Sequence, residues 1–298
     1  QEFFKVNKSV YSDMQRIWDM YHTKAHINLI VCGSIFSMMT KIFKDKKEPL
    51  YNRQTRFMSI KPFTPAVLKE IMAEYNPNYT SEDLLALYSF TGGVAKYVQL
   101  LVDAGATTKT KMLNHIIKAD SVFLGEGKAI LIEEFGKDYG VYFSILSAIA
   151  RGKTLRSEIE QIVGREIGGY LTKLEKEYEV ITKNQPIFEK SSTKNVRYTI
   201  EDNFFTFWFR FIYKYNYMLE IENFDAVKTI INRDYETFSG KMLERYFKRV
   251  LMESKAYTRI GSWWDRKGEN EIDIVAENEL NDEAVFIEVK RKEDNFDA

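Results

Sequence analysis

Residues 261–290, GSWWDRKGENEIDIVAENELNDEAVFIEVK, decide how the C-terminal part of this chain folds. Two runs within it, residues 272–276 and 285–290, alternate with a period of two, which is the pattern of β-strands. We therefore predict a hairpin in which Glu288 and Lys290 lie on one face of the second strand. If Asp273 shares that face, two carboxylates and one ammonium group converge there.

Such a group of charges indicates a phosphate-directed chemistry. Carboxylates can hold Mg²⁺ against a phosphate while an ammonium group stabilises developing negative charge. We predict that Asp273, Glu288 and Lys290 are catalytic, and that Asp273 and Glu288 bind Mg²⁺ with Glu244, which lies on a helix predicted at residues 238–252. The alternative is that these are solvated strand charges, because a pattern this short arises often by chance.

Composition excludes several other classes of site. The 298 residues contain 43 Lys and Arg against 43 Asp and Glu, so nucleic-acid binding would need local patches of positive charge. A single cysteine, Cys32, rules out an internal disulfide, and three histidines argue against a histidine-based zinc site. The apolar runs are too short to span a bilayer, and the start has no signal-peptide pattern, which together predict a cytoplasmic protein without a membrane partner.

The order of patterns predicts an α/β protein of several domains. Residues 1–63 combine a helix, an apolar strand at 27–32 ended by Gly33 and Ser34, a second helix and a short strand at 57–60, which is an α/β unit. Residues 64–138 predict a small helical bundle that begins with Thr64 as the N-cap and Pro65 at the first helical position. Residues 204–298 predict an aromatic packing helix, the long helix and the hairpin.

Residues 139–203 predict a winged helix-turn-helix. Three helical patterns, at 141–150, 155–163 with Thr154 as N-cap, and 167–178, precede two short strands at 180–182 and 197–200. Basic residues lie on the third helix and the strands, where winged domains contact phosphates. The predicted DNA-binding residues are Lys173, Lys176, Lys183, Lys194 and Arg197. Because glutamates are interleaved among them, the alternative is an ordinary solvated face.

Longer strings of the sequence resemble a known family. QEFFKVNKSVYSDMQRIWD, LIVCGSIFSMM, PLYNRQTRF and YSFTGGVAKYVQLL, in this order, resemble the later half of the archaeal-type P-loop ATPases, an AAA-like family. RYTIEDNFFTFWFRF, GSWWDRKGENEIDIVA and FIEVK resemble the C-terminal domain of unknown function of the same proteins. The arrangement of Glu244, Asp273, Glu288 and Lys290 is similar to that of the PD-(D/E)xK nucleases.

The resemblance implies further roles. Ser34 is similar to the sensor-1 position, which detects the γ-phosphate, and Arg53 lies where an arginine could sense nucleotide, although Asn52 stands where a glycine often precedes it. The chain contains no G-x-x-x-x-G-K-[ST], so ATP would be bound only in an intact protein with upstream Walker motifs, and we expect this chain to be a fragment. DNA is the implied partner, with a protein partner or a homo-oligomer as further expectations. The alternative function is a regulatory or protein-binding module with a non-catalytic nuclease-like fold.

Overall fold

The computed structural model describes residues 7, 9–26, 28–33, 36–190 and 193–292, which combine many helices with two small antiparallel sheets. The helices are α1 (Val10–Tyr21), α2 (Phe36–Lys44), α3 (Pro65–Tyr75), α4 (Ser81–Thr91), α5 (Ala95–Asp103), α6 (Lys109–Ile116), α7 (Val122–Phe135), α8 (Tyr139–Ala150), α9 (Arg156–Val163), α10 (Gly168–Lys176), α11 (Asn203–Phe207), α12 (Asn216–Glu220) and α13 (Phe224–Ser254). A 3-10 turn, Gly136–Asp138, precedes α8, and a π-helical turn, Trp208–Tyr213, follows α11. The strands are β1 (Ile181–Asn184), β2 (Arg197–Ile200), β3 (Arg259–Trp264), β4 (Glu271–Asn278) and β5 (Glu283–Ile287).

The two strands predicted within residues 1–63 are absent from the part of this region that the structure describes. α1 and α2 form as predicted, but residues 28–33 and 57–60 form no strand, and Ile30 and Ile60 are 78% and 88% exposed. Cys32 is also exposed rather than part of a core. A strand is stabilised by the hydrogen bonds of a neighbouring strand, and none of the described residues supplies one here. Ile27, at the start of the first predicted strand, lies outside the described residues.

The helical bundle begins with the cap that the sequence predicts. Thr64 Oγ1 accepts a hydrogen bond from Val67 N at 3.3 Å, and Pro65 occupies the first turn of α3. At the end of α4, Gly92 adopts a left-handed conformation with φ of 61°, which a glycine adopts without strain. A Cβ on Gly93 would lie 2.5 Å from Phe63 O, so this turn admits no larger residue.

One continuous core runs from the bundle into α13. The aromatic residues after residue 203 are buried in it, as the prediction of a packing segment requires. The fully buried rings of this segment are Phe204, Phe207, Phe209 and Phe211. The helix α13 starts at Phe224 rather than near residue 238, because its first turns pack Val227 and Ile231 against the same core. No helix in the described ranges is both long enough and apolar enough to cross a membrane.

Helices α8, α9 and α10 and the antiparallel pair β1–β2 occupy the region predicted as a winged unit. β2 has the predicted bounds, and Thr182 pairs with Thr199 in the sheet. The cap predicted at Thr154 is wrong: α9 is instead capped through Leu155 N, which donates to Glu158 Oε2 at 3.2 Å. Thr154 contributes its carbonyl oxygen, which accepts from Tyr198 N at 2.8 Å and so ties the wing to the helices.

The predicted hairpin is present as β4 and β5, and β3 adds a third antiparallel strand that carries the two tryptophans. The centre of β4 is buried on both faces, at Ile274, Val275 and Ala276. β5 is more exposed than its alternation predicts, since Val285 and Phe286 are 40% and 64% exposed. The sheet therefore places the predicted site at its edge, where β5 ends.

Candidate functional site

The register of β4 and β5 brings Asp273 and Glu288 side by side. Ile274 pairs with Ile287, so Asp273 and Glu288 lie one step beyond this pair on neighbouring strands. Residues opposite each other in an antiparallel pair share a face. Asp273 Oδ2 also accepts a hydrogen bond from Val289 N at 2.8 Å. The register thus makes the two predicted carboxylates neighbours, which is the condition that the sequence prediction left open.

Helix α13 brings Glu244 to the same edge of the sheet. Burial raises the pKa of Glu244, the nearby Lys241 ammonium opposes that shift, and the negative charge of Asp273 adds to it. Lys290 donates to Glu288 Oε1, and this ion pair raises the pKa of Lys290, with smaller contributions from Asp273 and Glu244. All four residues predicted for the catalytic and metal roles therefore lie within electrostatic reach of one another.

Each carboxylate in this group already has a partner. Lys241 Nζ lies 2.9 Å from Glu244 Oε1, while Glu288 is paired with Lys290 and Asp273 is bonded to the backbone. Across the described residues, no group of three or more His, Cys, Asp or Glu side chains is arranged to hold a metal ion. The donor chemistry suits Mg²⁺, but the arrangement does not fit it. Metal binding by Glu244, Asp273 and Glu288 stays a prediction.

A large cavity adjoins this group of carboxylates. Its volume is about 820 Å³, and its walls are α13, the β1–β2 wing and the strands β3 and β4. Basic side chains predominate among the charged residues that line it. The basic lining residues are Lys183, Arg197, Arg210, Lys241, Arg245, Lys248 and Arg249, and the acidic ones are Glu201, Glu244, Glu271 and Asp273. We call this space the cationic cavity.

A pattern of basic residues in the sequence indicates one wall of this cavity, although the prediction of a site on the hairpin did not include it. Lys241, Arg245 and Lys248 are spaced four and three residues apart, which places them on one face of a helix. Which face they occupy relative to the sheet depends on how α13 packs. Glu271 was also missed, because its part in the site depends on an ion pair with the distant Arg197.

The β1–β2 pair and the loop that connects its strands, the region predicted as a wing, dock onto the sheet of β3, β4 and β5. Trp264 Nε1 donates to Asn195 Oδ1 at 2.9 Å, and Ile187 N donates to Ser262 O at 2.8 Å. Arg197 Nη1 donates to Glu271 Oε2 at 2.9 Å, and the Arg197 guanidinium lies 4.5 Å from the centre of the Trp264 ring. Arg197, Trp264 and Glu271 line the cationic cavity, so these contacts hold part of its wall in place.

The other predicted DNA-binding residues remain on the surface. Lys173 and Lys176 occupy the last turn of α10, Lys183 lies on β1, and Lys194 lies just before β2. All four are exposed, and Lys176 pairs with its neighbour Glu175 at 2.9 Å. Only Arg197 is drawn into the contact between wing and sheet. A role of these residues in DNA binding stays a prediction.

The predicted nucleotide-sensing residues lie far along the chain from this site. Ser34 falls outside the described residues. Arg53 Nε and Nη2 donate to Asp19 Oδ1 and Oδ2 at 2.8 and 2.9 Å, and this pair lowers the pKa of Asp19. Arg53 Nη1 also donates to Pro49 O at 2.8 Å. The guanidinium thus has partners within α1 and the loop after α2, and its role as a sensor stays a prediction.

Comparison with known proteins places the C-terminal site in a region of unknown function. Residues 208–298 match the model of the DUF234 family, described as archaea bacterial proteins of unknown function. Over 304 aligned residues, the chain is 33% identical to an uncharacterized protein of Methanocaldococcus jannaschii. That match covers 97% of this chain and 65% of the relative, so the chain spans less than two-thirds of the relative's length. No solved structure gives a significant match.

Proposed function

We propose that this chain is part of an ATP-dependent, AAA-like protein, and that it binds DNA through a winged helix-turn-helix formed by α8 to α10 and β1–β2. The observation that carries the proposal is a third helix followed directly by a two-stranded wing, with exposed lysines on both. Winged domains contact phosphates with such residues. ATP binding belongs to the intact protein, since the sequence here contains no phosphate-binding loop.

The lysines expected to contact DNA are Lys173, Lys176, Lys183 and Lys194. Each is exposed, and Lys176 is the one among the four with an ion pair in the described part of the chain, to its neighbour Glu175. Each phosphate contact releases counterions, so the affinity should fall steeply as salt rises. The proposal therefore predicts both binding at low salt and a measurable salt slope.

The test is fluorescence anisotropy with a labelled DNA duplex over a series of salt concentrations. We expect Lys173→Ala with Lys176→Ala to weaken binding and to lower the salt slope by about one for each lost contact. Lys69→Ala with Lys111→Ala is the matched control, because those lysines are exposed on the helical bundle. Absence of binding by the wild-type protein at low salt, or an equal loss of affinity in both double variants, would refute DNA binding by the winged unit.

The second candidate is a regulatory or protein-binding module in which the sheet is not catalytic. The observation in its favour is that Asp273, Glu244 and Glu288 are each already paired with an ammonium group or a backbone N–H. In such a module the bond from Val289 N to Asp273 holds the end of β5 to β4, while the pairs of Glu244 with Lys241 and of Glu288 with Lys290 neutralise charge within their own segments. The charges then stabilise the fold rather than a transition state.

Plasmid nicking in Mg²⁺ or Mn²⁺ separates the two candidates for the sheet. The nuclease prediction requires activity in the wild-type protein that disappears in Asp273→Ala. The module predicts no cleavage by either protein, with Asp273→Ala only less stable because Val289 N loses its acceptor. Equal cleavage by both proteins would mean that the activity comes from a contaminant, and it would refute the catalytic role of Asp273.

A further inference from the structure

Three basic side chains in the cationic cavity are half-buried without a carboxylate partner. Arg210, Arg245 and Lys248 all line the cavity. Among the described residues, none of them has an acidic oxygen within the 4.0 Å that defines an ion pair. Other half-buried cations in the chain do have one, such as Arg197 with Glu271 and Arg291 with Glu82.

An unpaired cation that is removed from water is energetically costly. Proteins offset this cost with an opposite charge, or the group loses its charge. Burial lowers the pKa of Arg210, Arg245 and Lys248, since it penalises the charged form of each, and carboxylates farther away oppose the shift only in part. These carboxylates are Asp234 for Arg210, Glu201, Asp202 and Glu244 for Arg245, and Glu201 for Lys248. Because no described carboxylate forms a direct ion pair with these three charges, an anion bound in the cavity would stabilise them further.

Most donors of these cations have no hydrogen-bond partner among the residues that the structure describes. Arg245 Nη1 donates to Asn203 Oδ1 at 2.9 Å, which uses one of the five N–H donors of a guanidinium. The guanidinium carbon of Arg210 lies 5.7 Å from the centre of the Phe238 ring, and within the described ranges its N–H groups have no hydrogen-bond acceptor. Lys248 lies three residues after Arg245 on the same face of α13.

The size and neighbours of the cavity restrict what this anion can be. About 820 Å³ is the size of sites that hold nucleotide-sized ligands. Planar guanidinium groups with an ammonium group are the usual partners of phosphate. The cavity opens beside the wing, which carries Lys183 and Lys194 on the surface proposed to bind DNA.

We propose that Arg210, Arg245 and Lys248 form a phosphate site that holds one nucleotide of a single DNA strand, while the duplex lies on the winged unit. The inference rests on the proposed DNA binding and deepens it. A single-stranded tail can enter a cavity between α13, the wing and β3–β4, whereas a blunt duplex stays on the outer surface. The protein then prefers DNA with a single-stranded overhang.

The test measures affinities for a duplex with a single-stranded overhang and for a blunt duplex of the same length. We expect the wild-type protein to bind the overhang about tenfold more tightly, as one charge-assisted phosphate contact implies. Lys248→Gln should reduce this preference to about one, and Lys248→Arg should keep most of it. Arg245→Gln should lose the preference in the same way as Lys248→Gln. If the loss of the bond to Asn203 unfolds the Arg245 variant, the result for Lys248→Gln alone decides the test.

The outcomes separate this inference from the proposed function. Tight binding of both DNAs with no preference in the wild type would overturn the phosphate site and leave DNA binding intact. Absence of binding to either DNA would overturn both. Competition by ATP that abolishes the preference at concentrations where inorganic phosphate does not would assign the site to a free nucleotide and overturn the strand assignment.

A second measurement needs no DNA. If Lys248 is an unpaired half-buried cation, Lys248→Met should raise the thermal midpoint of the free protein by a few degrees, because an apolar side chain suits that position better. Lys214→Met, at an exposed position after the π-helical turn, is the control. A lower midpoint for Lys248→Met alone would mean that the cation has a stabilising partner within the protein, and this would overturn the inference.

Discussion

Asp202 offers a direct test of how strongly burial raises the pKa of a carboxyl group in this protein. Its Oδ1 accepts hydrogen bonds from Phe204 N at 2.6 Å and Phe205 N at 3.3 Å, and so caps α11. Burial raises the pKa of Asp202 from its ordinary 3.8 to about 6, although these hydrogen bonds and the nearby Arg245 oppose the shift. The perturbation that tests this is Asp202→Asn, which keeps the cap oxygen and removes the titration.

The sign of the effect follows from proton binding. Between about pH 4 and pH 6 the folded protein holds a proton on Asp202 that the unfolded chain has released. The contribution of protonated Asp202 to the free energy of unfolding is therefore complete below about pH 4 and is lost as the pH rises through about 6. A difference of about two pKa units corresponds to at most about 3 kcal/mol.

Urea unfolding of the wild type and of Asp202→Asn at several values between pH 4 and pH 7 provides the measurement. The free energy of unfolding of the variant minus that of the wild type should rise by up to about 3 kcal/mol over this interval, mostly below pH 6. The difference between the two proteins cancels the titration of all other carboxylates. Asp103→Asn, at an exposed position at the end of α5, is the control. A difference that stays flat, or that falls as the pH rises, would refute the reasoning.

Two further predictions concern packing and the attachment of the wing. A Cβ on Gly127 would lie 2.4 Å from Trp208 Cδ2, so Gly127→Ala should lower stability by about 1 to 3 kcal/mol. Gly125→Ala, in the same helix with nothing within 4 Å, should be neutral or stabilising by up to about 1 kcal/mol, and equal thermal shifts in the two variants would contradict the close approach. Arg197→Ala should lower stability by about 1 to 2 kcal/mol in urea unfolding, since it loses an ion pair and an aromatic contact. Lys194→Ala, exposed in the same wing, should stay within about 0.5 kcal/mol, and a similar loss there would argue against a specific Arg197 contact.

Local patterns in the sequence determined much of the C-terminal architecture. The period of two in residues 272–276 and 285–290 predicted the β4–β5 hairpin, and the register then placed Asp273 beside Glu288. Thr64 and Pro65 predicted the start of α3, and the bounds of β2 were predicted to the residue. These features depend on dihedral preferences and on contacts between near neighbours, which the order of residues already contains.

Contacts between distant residues decided the rest. The apolar runs at 27–32 and 57–60 have strand composition, yet their described residues form no strand, because a strand needs hydrogen bonds from a partner that its own sequence does not contain. The pairing of Arg197 with Glu271, 74 residues apart, and the unpaired state of Arg245 and Lys248 likewise arise only when the wing and α13 meet the sheet. Sequence thus determined which residues carry charge and which face of an element they share. The tertiary structure decided which charges are neutralised within the chain and which remain for a ligand, since ion pairing depends on separation in space rather than along the chain.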